Sequence, residues 1–599
     1  MKNTIGVNAV TALGLLAATS SSAWACVKTD TRWAASSNTL YIERPVTCTL
    51  TNLAAFVATS VLEQVDAAQR IWLLKAHIRI TGGGSLLLYG TAAGGDVNEL
   101  RLLSANNPVQ TIRINARWGS IDIRSTHIQS WDPLAAGPDT STSNGRSYIH
   151  AESFLEADGV TARESRLDIA DSEINHLGYY AAVSYGLVWK VIGDTSTVPD
   201  LYDRVNVYGS LVRSYVHDNY MGFYSFGAMN ITITDNHVAY NESYGIDPHD
   251  DSDYLVISRN NVHDNGAHGI ICSRRCNNLT ITDNETYRND HGIMLHREVV
   301  DTLVANNYSH HNRDNGIALF ESHYNTVRNN TVEYNKEGIR LSLGSHNNLV
   351  ENNVVRGNTE NGLYLYKGQD PPETTDGRPK DNVFQNNTVA DNGRLIKARD
   401  ADRILFTGNT FSGTASDIEI YDSTAIDIVA NVDNLASFQI ASKGEVSGYS
   451  GVRLETDRDV ETKLDGFGFI TLTNPAGHIF DLEENGDVVT IQPAGSELVV
   501  SYLLTESSST ARALPLYATT AAGSFTVSEA VTSASSSSWL TNTTTSNQGV
   551  QFRLTQLTPN TSYGIFRNNM LVGTMNSGAA GELSFSDVLP AGAYRYLVN

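Results

Sequence analysis

The chain has 599 residues, of which 41% are hydrophobic and 18% charged, a composition that excludes a disordered chain. Its 65 acidic residues outnumber its 42 basic residues. The resulting net charge of −23 excludes a general nucleic-acid-binding protein, which attracts phosphates through excess Lys and Arg. A polyanionic substrate would need cations concentrated at its own binding site.

The N-terminus has the pattern of a secretion signal. Lys2 precedes an uncharged, mostly apolar run over residues 4–19, and Ala23-Trp24-Ala25 has the small-x-small pattern of a cleavage site. We therefore predict a signal peptide over residues 1–25 and a secreted protein, which would be periplasmic in a Gram-negative bacterium. The run is too short to span a bilayer well, and no later stretch spans one, so we expect no membrane insertion.

The four cysteines predict two disulfides. In an oxidising compartment, proximity in sequence pairs Cys26 with Cys48 and Cys272 with Cys276. A zinc site is an alternative on residue type, but the two pairs lie far apart along the chain, so we predict no metal site from these residues.

Residues 26–75 predict an N-terminal cap. Asn52 is suited to cap a short helix, and such a helix would cover the open end of a repeat fold, which otherwise exposes apolar core and strand edges. Its apolar residues follow a helical spacing: Leu53, Phe56, Val57 and Val61.

A fixed period organises the middle of the chain. Each repeat of 22 to 24 residues has β-rich runs and turns without a helix-length apolar period, which predicts an all-β protein with a parallel β-helix over residues 76–431. The repeated glycines are Gly222, Gly245, Gly269, Gly292, Gly316, Gly338 and Gly362. An Asn ends each turn, where stacked amides can hydrogen-bond between repeats: Asn219, Asn241, Asn265, Asn289, Asn312, Asn335, Asn358 and Asn392.

The 23-residue register disappears near residue 432. We predict a connecting segment over residues 432–463. Short strands that alternate with Gly, Ser and Asn turns then predict a small β-sandwich-like accessory domain over residues 464–599.

The residues that follow each repeated Gly alternate between the core and the surface. Two outward-facing columns result. The first outward column is Tyr224, Asp247, Ile271, Met294, Ala318, Arg340 and Tyr364, and the second is Phe226, His249, Ser273, His296, Phe320, Ser342 and Tyr366. We predict an exposed groove for a linear polysaccharide, because aromatic rings pack on sugars and Arg or Lys binds carboxylates.

The most chemically dense stretch is Tyr-Gly-Ile-Asp-Pro-His-Asp over residues 244–250. His268 and His291 each precede one of the next repeated glycines, and Arg274 and Arg275 follow the next strand. This arrangement resembles the alginate mannuronan C-5-epimerases, which carry a Tyr-Gly-Phe-Asp-Pro-His-Asp/Glu motif on a right-handed parallel β-helix. The resemblance covers roughly the middle half of the chain.

The resemblance implies epimerisation of β-D-mannuronate to α-L-guluronate within alginate. This reaction requires neutralisation of the sugar carboxylate, a base that takes H5 and an acid that returns a proton to the other face. The implied catalytic residues are His249 and Tyr244, either of which could be the base, with Asp247 to tune them and Arg274 to bind the carboxylate. Substrate-binding residues are then predicted to be His268, His291, Arg275, His296, Arg297, Arg340, Tyr364 and Lys367.

Two features depart from the calcium-dependent secreted members of that family. Those proteins carry Gly-rich nonapeptide calcium repeats, which this chain lacks, and an Asp where this chain has Ser273. We therefore expect no required cofactor, and the sequence does not support a calcium requirement.

Two other functions remain open from the sequence. A polyuronate lyase would share proton abstraction but expel the C4 oxygen by β-elimination. A non-catalytic polysaccharide-binding solenoid would use the groove without chemistry, although the clustered His, Tyr, Asp and Arg argue against it. The predicted partner in each case is an alginate or other polyuronate chain, bound by a monomer, with no nucleic acid.

Overall fold

The computed structural model describes residues 24–413, 417–474, 477–484, 487–491, 497–503, 516–520, 525–532, 534–543, 546–555 and 557–599. The predicted signal peptide lies outside the described residues except for Trp24 and Ala25. Within these ranges, no helix has the length and apolarity needed to cross a membrane.

The chain forms a right-handed parallel β-helix with three faces. The repeat predicted the parallel β-helix, and the family resemblance implied its right hand. Face 1 contains Thr39–Ile42, His77–Ile80, Arg113–Arg117, Tyr148–Leu155, Gly186–Ile192, Met221–Phe226, Ile246–His249, Ile270–Ser273, Ile293–His296, Asn315–Phe320, Glu337–Ser342, Asn361–Tyr366, Arg394–Arg399, Asp417–Tyr421 and part of Ser437–Glu455. Face 2 contains Trp24–Ala25, Val46–Thr49, Gly84–Tyr89, Gly119–Arg124, Arg166–Ala170, Tyr208–Val212, Thr232–Thr234, Val256–Ser258, Thr280–Thr282, Leu303–Ala305, Thr326–Arg328, Leu349–Glu351, Val383–Gln385, Asp402–Thr407 and Thr424–Val429.

The third face has shorter strands. Face 3 contains Ile71–Leu74, Glu99–Asn106, His127–Asp132, Glu173–Asn175, Tyr215–His217, His237–Ala239, Asn261–His263, Glu285–Tyr287, Tyr308–His310, Thr331–Glu333, Val354–Arg356, Thr388–Ala390, Thr410–Ser412 and Val432–Asp433. Five further strands are each antiparallel to a neighbour: Thr31–Ala34, Leu62–Asp66, Val109–Thr111, Gly137–Pro138 and Ala162–Arg163.

The core lies inside the coil and consists of stacked aliphatic columns. On face 1, Ile246, Ile270, Ile293 and Ile317 occupy equivalent positions in successive coils, and all are fully buried. Each coil therefore repeats the same inward packing, and the register of the outward side chains is fixed by the same backbone pairing.

The predicted Asn ladder is confirmed. Each amide oxygen in this column accepts a hydrogen bond from the backbone N–H of the preceding ladder Asn, and the series runs from Asn219 to Asn392. The side chain of Asn289, which is fully buried, also donates to the carbonyl of Val262 and to Asn312. The ladder thus satisfies polar groups at a corner that the backbone pairing leaves unpaired.

Replacing Asn289 with Ala should destabilise the β-helix by about 2–4 kcal/mol, because it leaves several buried donors and acceptors unpaired. The measurement is the midpoint of urea unfolding. Asn261→Ala is the matched control, since Asn261 lies on face 3 and its amide donates one side-chain hydrogen bond, to Glu285. Equal shifts for the two variants would contradict a special role for the ladder.

The N-terminal cap differs in detail from the prediction. The helix is one short turn, Leu50–Ala54, and its N-cap is Thr49 instead of Asn52. The side chain of Asn52 accepts from the backbone N–H of Thr49, so Asn52 completes a capping box from inside the helix. Leu50 and Leu53 are buried and cover the end of the core.

The remaining short helices are Leu201–Arg204 and the 3₁₀ turns Lys28–Asp30, Ala35–Ser37 and Thr91–Ala93. Both predicted disulfides, Cys26–Cys48 and Cys272–Cys276, are formed, and no other cysteine occurs in the chain.

Parallel pairing continues beyond residue 431, the predicted end of the β-helix. Ser437–Glu455 pairs with Asp417–Tyr421 and with Thr424–Val429, and then with Asp459–Thr473. Phe480–Glu484 adds a further parallel strand. The Gly and Asn signature fades here, but the backbone pairing does not depend on it.

The C-terminal residues form two antiparallel sheets. One contains Glu497–Leu503, Leu516–Thr520, Gln548–Leu554 and Leu583–Leu589, and Asp487–Ile491 pairs with Phe480–Glu484. The other contains Phe525–Thr532, Ser537–Thr543, Gly592–Val598, Ser562–Arg567 and Met570–Asn576. Trp539, Phe552 and Tyr596 pack together in a shared core, which is the packing expected of a sandwich-like domain.

Candidate active site

The motif strand Ile246–His249 lies in the middle of face 1, where a groove of about 380 Å³ opens on its outer side. Parallel register aligns His249 with Phe226 on the preceding coil and with Ser273 on the following coil. The groove is lined by Tyr244, His249, His268, Ile271, Ser273, Arg274, Met294, His296, Arg297 and Glu373. The structure therefore brings the predicted catalytic residues Tyr244, His249 and Arg274 to one site.

The first outward column is not exposed as predicted. Asp247, Ile271, Met294 and Ala318 are all buried on the outer side of the sheet. Tyr244 packs against Ile271, Met294 and Ala318. Long side chains on the walls of the groove thus cover the shorter side chains on its floor. The groove thus has an apolar floor with polar walls.

His249 is held by the carboxylate that follows it. Its Nδ1 lies 2.6 Å from Oδ2 of Asp250, and its ring stacks on Phe226 with 5.9 Å between centroids. Burial lowers the pKa of His249, but the contact with Asp250 and the charge of Asp247 outweigh it, so the pKa is raised overall. Since Nδ1 faces Asp250, Nε2 is the nitrogen available for proton transfer.

Asp247 is a buried carboxyl on the floor of the groove. It is 1% exposed, and neither carboxylate oxygen has a hydrogen-bond partner in the described chain that meets standard geometry. Burial raises its pKa to about 7, although the neighbouring His249 opposes the rise. A carboxyl with this pKa can tune the proton affinity of His249 near neutral pH.

The burial of Asp247 predicts that stability depends on pH. Its folded pKa of about 7 exceeds the ordinary Asp value, so the stabilising contribution of the protonated form is lost as pH rises from about 4 to about 7. Asp247→Asn should therefore gain stability relative to the wild type over this window, by about 2–4 kcal/mol, with no further gain above it. Urea unfolding at several pH values measures the difference. The exposed Asp301→Asn should show no such window, and a constant offset for Asp247→Asn would contradict the prediction.

Tyr244, His268 and His291 form a continuous stack along one wall of the groove. The rings of Tyr244 and His268 lie 5.2 Å apart, and those of His268 and His291 lie 4.5 Å apart. Burial lowers the pKa of His268 to about 3 and that of His291 to about 4. Both imidazoles are therefore neutral near pH 7, so they can exchange hydrogen bonds with a sugar but cannot contribute positive charge.

Burial also raises the pKa of Tyr244, so the phenol stays protonated at neutral pH. The orientation of His291 is fixed by Asn315, whose backbone N–H donates to Nδ1 at 3.2 Å. Nε2 of neutral His291 then carries the hydrogen and is a donor.

Arg274 and Arg297 share a carboxylate that the sequence prediction did not include. Glu373 places Oε2 3.0 Å from a guanidinium nitrogen of Arg274 and Oε1 2.6 Å from one of Arg297. Arg297 was predicted to bind a flanking sugar, but both guanidinium groups reach the same carboxylate. We call Arg274 and Arg297 together the arginine clamp.

Arg275 is engaged differently. Its guanidinium contacts Asp250 at 2.8 Å and Asp251 at 2.9 Å, and these contacts raise its pKa. Because Asp250 also contacts His249, Arg275 supports the orientation of the imidazole and does not line the groove described above.

The other predicted binding residues extend the groove along face 1. His296 lines the groove, and burial lowers its pKa to about 4. Arg340 lies 4.7 Å from the ring centroid of Phe320 and 5.6 Å from that of Tyr364, on coils further from His249. Lys367 is exposed just beyond the strand Asn361–Tyr366.

Comparisons with known proteins show which proteins this chain is similar to. A family described as "Right handed beta helix region" matches residues 157–299 and 271–376. "Mannuronan C5-epimerase AlgG" of Azotobacter vinelandii is 31% identical over 227 residues, which are 37% of this chain and 38% of that protein. "Mannuronan C5-epimerase" of Pseudomonas aeruginosa is 28% identical over 241 residues, 40% of each chain.

Over its β-helix, the chain is similar in sequence to these mannuronan C5-epimerases. It spans about two fifths of the length of the curated relatives that it matches. The crystal structure titled "periplasmic alginate epimerase AlgG" has the same fold, with a TM-score of 0.54 and 24% identity over 63% of this chain and 85% of that one.

Two charged groups of this site were absent from the predicted site. Glu373 lies on the inserted segment 367–381. This insertion widens the spacing between Asn358 and Asn392, and that wider spacing was the only sign in the sequence that this segment leaves the regular coil. Lys190 lies on the strand Gly186–Ile192, with its ammonium 4.3 Å from the ring centroid of Phe226. It adds a cation on the N-terminal side of His249, whereas the predicted cations all lie on the C-terminal side.

Proposed function

We propose that this protein epimerises β-D-mannuronate to α-L-guluronate within an alginate chain. The observation that carries the proposal is the convergence of His249, Tyr244 and the arginine clamp on one open groove. The relatives named as mannuronan C5-epimerases support the same substrate. A groove that continues along several coils suits a polymer, since adjacent coils lie about 4.8 Å apart, close to the length of one sugar.

In the proposed mechanism His249 is the base and Tyr244 is the acid. The raised pKa of Tyr244 keeps the phenol protonated, so it can donate but not accept a proton at neutral pH. His249 removes H5 through Nε2 when neutral, and Asp250 then stabilises the imidazolium. Tyr244 delivers a proton to C5 from the opposite face, which inverts that carbon.

The arginine clamp makes H5 acidic enough to remove. Loss of H5 places negative charge on the sugar carboxylate in an enolate-like intermediate, and guanidinium groups stabilise this charge through paired hydrogen bonds. Arg274 lies on the coil next to that of His249, so it is our choice for the group that contacts the reacting sugar.

The decisive experiment incubates polymannuronate with the protein in heavy water. NMR should show new guluronate signals with deuterium at C5, and the chain length should stay constant. A polyuronate lyase would instead produce absorbance of unsaturated uronate and shorter chains. The absence of both changes, with binding retained, would leave only a binding function.

We further propose that the protein acts outside the cytoplasm without a cofactor. Two disulfides suit an oxidising compartment, and the crystallised relative is titled a periplasmic epimerase.

Chelation should leave activity unchanged, because the proposed mechanism neutralises the carboxylate with arginine side chains. The described residues contain no cluster of three or more His, Cys, Asp or Glu side chains suited to hold a metal ion. Epimerisation measured by NMR after dialysis against EDTA should match that of untreated protein within twofold. Lost activity that calcium restores would contradict the mechanism.

A further inference from the structure

The arginines nearest the motif strand already have anionic partners. Arg275 contacts Asp250 and Asp251, and the arginine clamp contacts Glu373. Asp250 is needed to orient His249, and Asp251 follows it in the same turn. A polyanionic substrate that contacts these arginines must therefore share them with a carboxylate or replace one, and Glu373 is the carboxylate that belongs to an inserted segment.

The position of Glu373 is built into the fold. Glu321 is fully buried, and its carboxylate accepts the backbone N–H of Thr374 at 2.7 Å and that of Thr375 at 3.3 Å. The hydroxyl of Thr375 donates to the carbonyl of Leu343. The backbone beside Glu373 is thus tied to the β-helix, and only the Glu373 side chain needs to rotate for the carboxylate to leave the clamp.

The chemistry of Glu373 matches that of the substrate group. A glutamate carboxylate and a uronate carboxylate have the same charge, the same planar geometry and the same two acceptor oxygens, and each can bridge two guanidinium groups. The side chain of Glu373 is 28% exposed, and that of Arg274 is 44% exposed, so solvent and ligand can reach the contact.

We propose that Glu373 is a resident substitute for a uronate carboxylate and marks the carboxylate subsite between Arg274 and Arg297. A carboxylate of the polymer replaces it on binding, and Glu373 returns when the sugar leaves. The exchange keeps the two guanidinium groups oriented and neutralised in the free protein. It also weakens binding, because each binding event must break the contacts of Glu373. This inference rests on the proposed polyuronate substrate.

The experiment compares equilibrium binding of polymannuronate by wild-type protein and by Glu373→Gln, using calorimetry at fixed salt. Glu373→Gln should bind about tenfold more tightly, since its amide competes poorly for the clamp. Asp370→Asn is the matched control: it lies on the same segment, is exposed and removes one negative charge outside the clamp, so it should change the Kd less than twofold. Carboxyl-reduced polymannuronate, which has no carboxylate to exchange, should bind both proteins equally.

Three results would overturn the inference. Weaker binding by Glu373→Gln would mean that Glu373 only positions the arginines. Equal tightening by Glu373→Gln and Asp370→Asn would mean that overall charge is responsible. Binding does not require turnover. If the heavy-water experiment showed no epimerisation but Glu373→Gln still bound polymannuronate more tightly, the proposed reaction would be refuted and the carboxylate exchange at Glu373 would stand. Failure of all variants to bind polymannuronate would refute both.

Discussion

Replacing His249 with Ala should lower the turnover number on polymannuronate by about 10³-fold or more. General base catalysis by one positioned side chain typically contributes a factor of this size. His249 is partly exposed, and its principal contacts are with Phe226 and Asp250, so the folded structure should persist. Initial rates from NMR measure the effect, and the urea midpoint checks the fold.

The pH profile distinguishes catalysis from a purely structural role of His249. Because its pKa is raised and the neutral form is the base, kcat/KM of the wild type should increase with pH through a value above 6.5. His296→Ala is the matched control. His296 lines the same groove two coils away, and none of the ion pairs described above includes it. This variant should change mainly KM. A His249→Ala variant with rates near those of the wild type would remove His249 from the mechanism.

The sequence predicted the site well where the repeat controls it. A period of 22 to 24 residues fixes which side chains lie side by side, because parallel strands of successive coils pair residue by residue. The alignment of Phe226, His249, Ser273 and His296 follows from this period alone, and the structure confirms it. The Asn ladder is predictable for the same reason.

What the repeat does not control was not predicted. Glu373 reaches the arginine clamp from an inserted segment, 76 residues after Arg297 along the chain, and no local pattern indicates where an insertion folds back. The burial of Asp247 was also missed. Alternation places it correctly on the outer side of the strand, but only the packing of Tyr244 and its neighbours over the floor excludes solvent.

The two omissions have a common consequence for electrostatics. From the sequence, Arg274 and Arg297 were predicted to bind the substrate, and Asp247 was predicted to lie in an outward-facing column. In the structure, Glu373 offsets part of the charge of the two arginines in the free protein, and burial raises the pKa of Asp247 to about 7. The site of the free protein therefore has less positive charge on its arginines and less negative charge on Asp247 than the sequence indicates. A bound substrate changes these charges by adding its own carboxylate.

Arg274→Ala should lower the turnover number by about 100-fold, as loss of one donor to an oxyanion does in other enzymes. The contact of Arg274 with the carboxylate strengthens as charge develops in the transition state, so the loss should fall on kcat. Arg274→Lys should recover only part of it, because a point charge replaces a two-pronged donor. Arg340→Ala is the control: Arg340 packs against Phe320 and Tyr364 on more distant coils, and its loss should mainly raise KM.

If Arg274→Ala changed only KM, Arg274 would bind a neighbouring sugar, and His268 or Arg275 would have to neutralise the reacting carboxylate. His268 is a poor candidate, since burial holds its pKa at about 3, and the guanidinium of Arg275 is already engaged by Asp250 and Asp251.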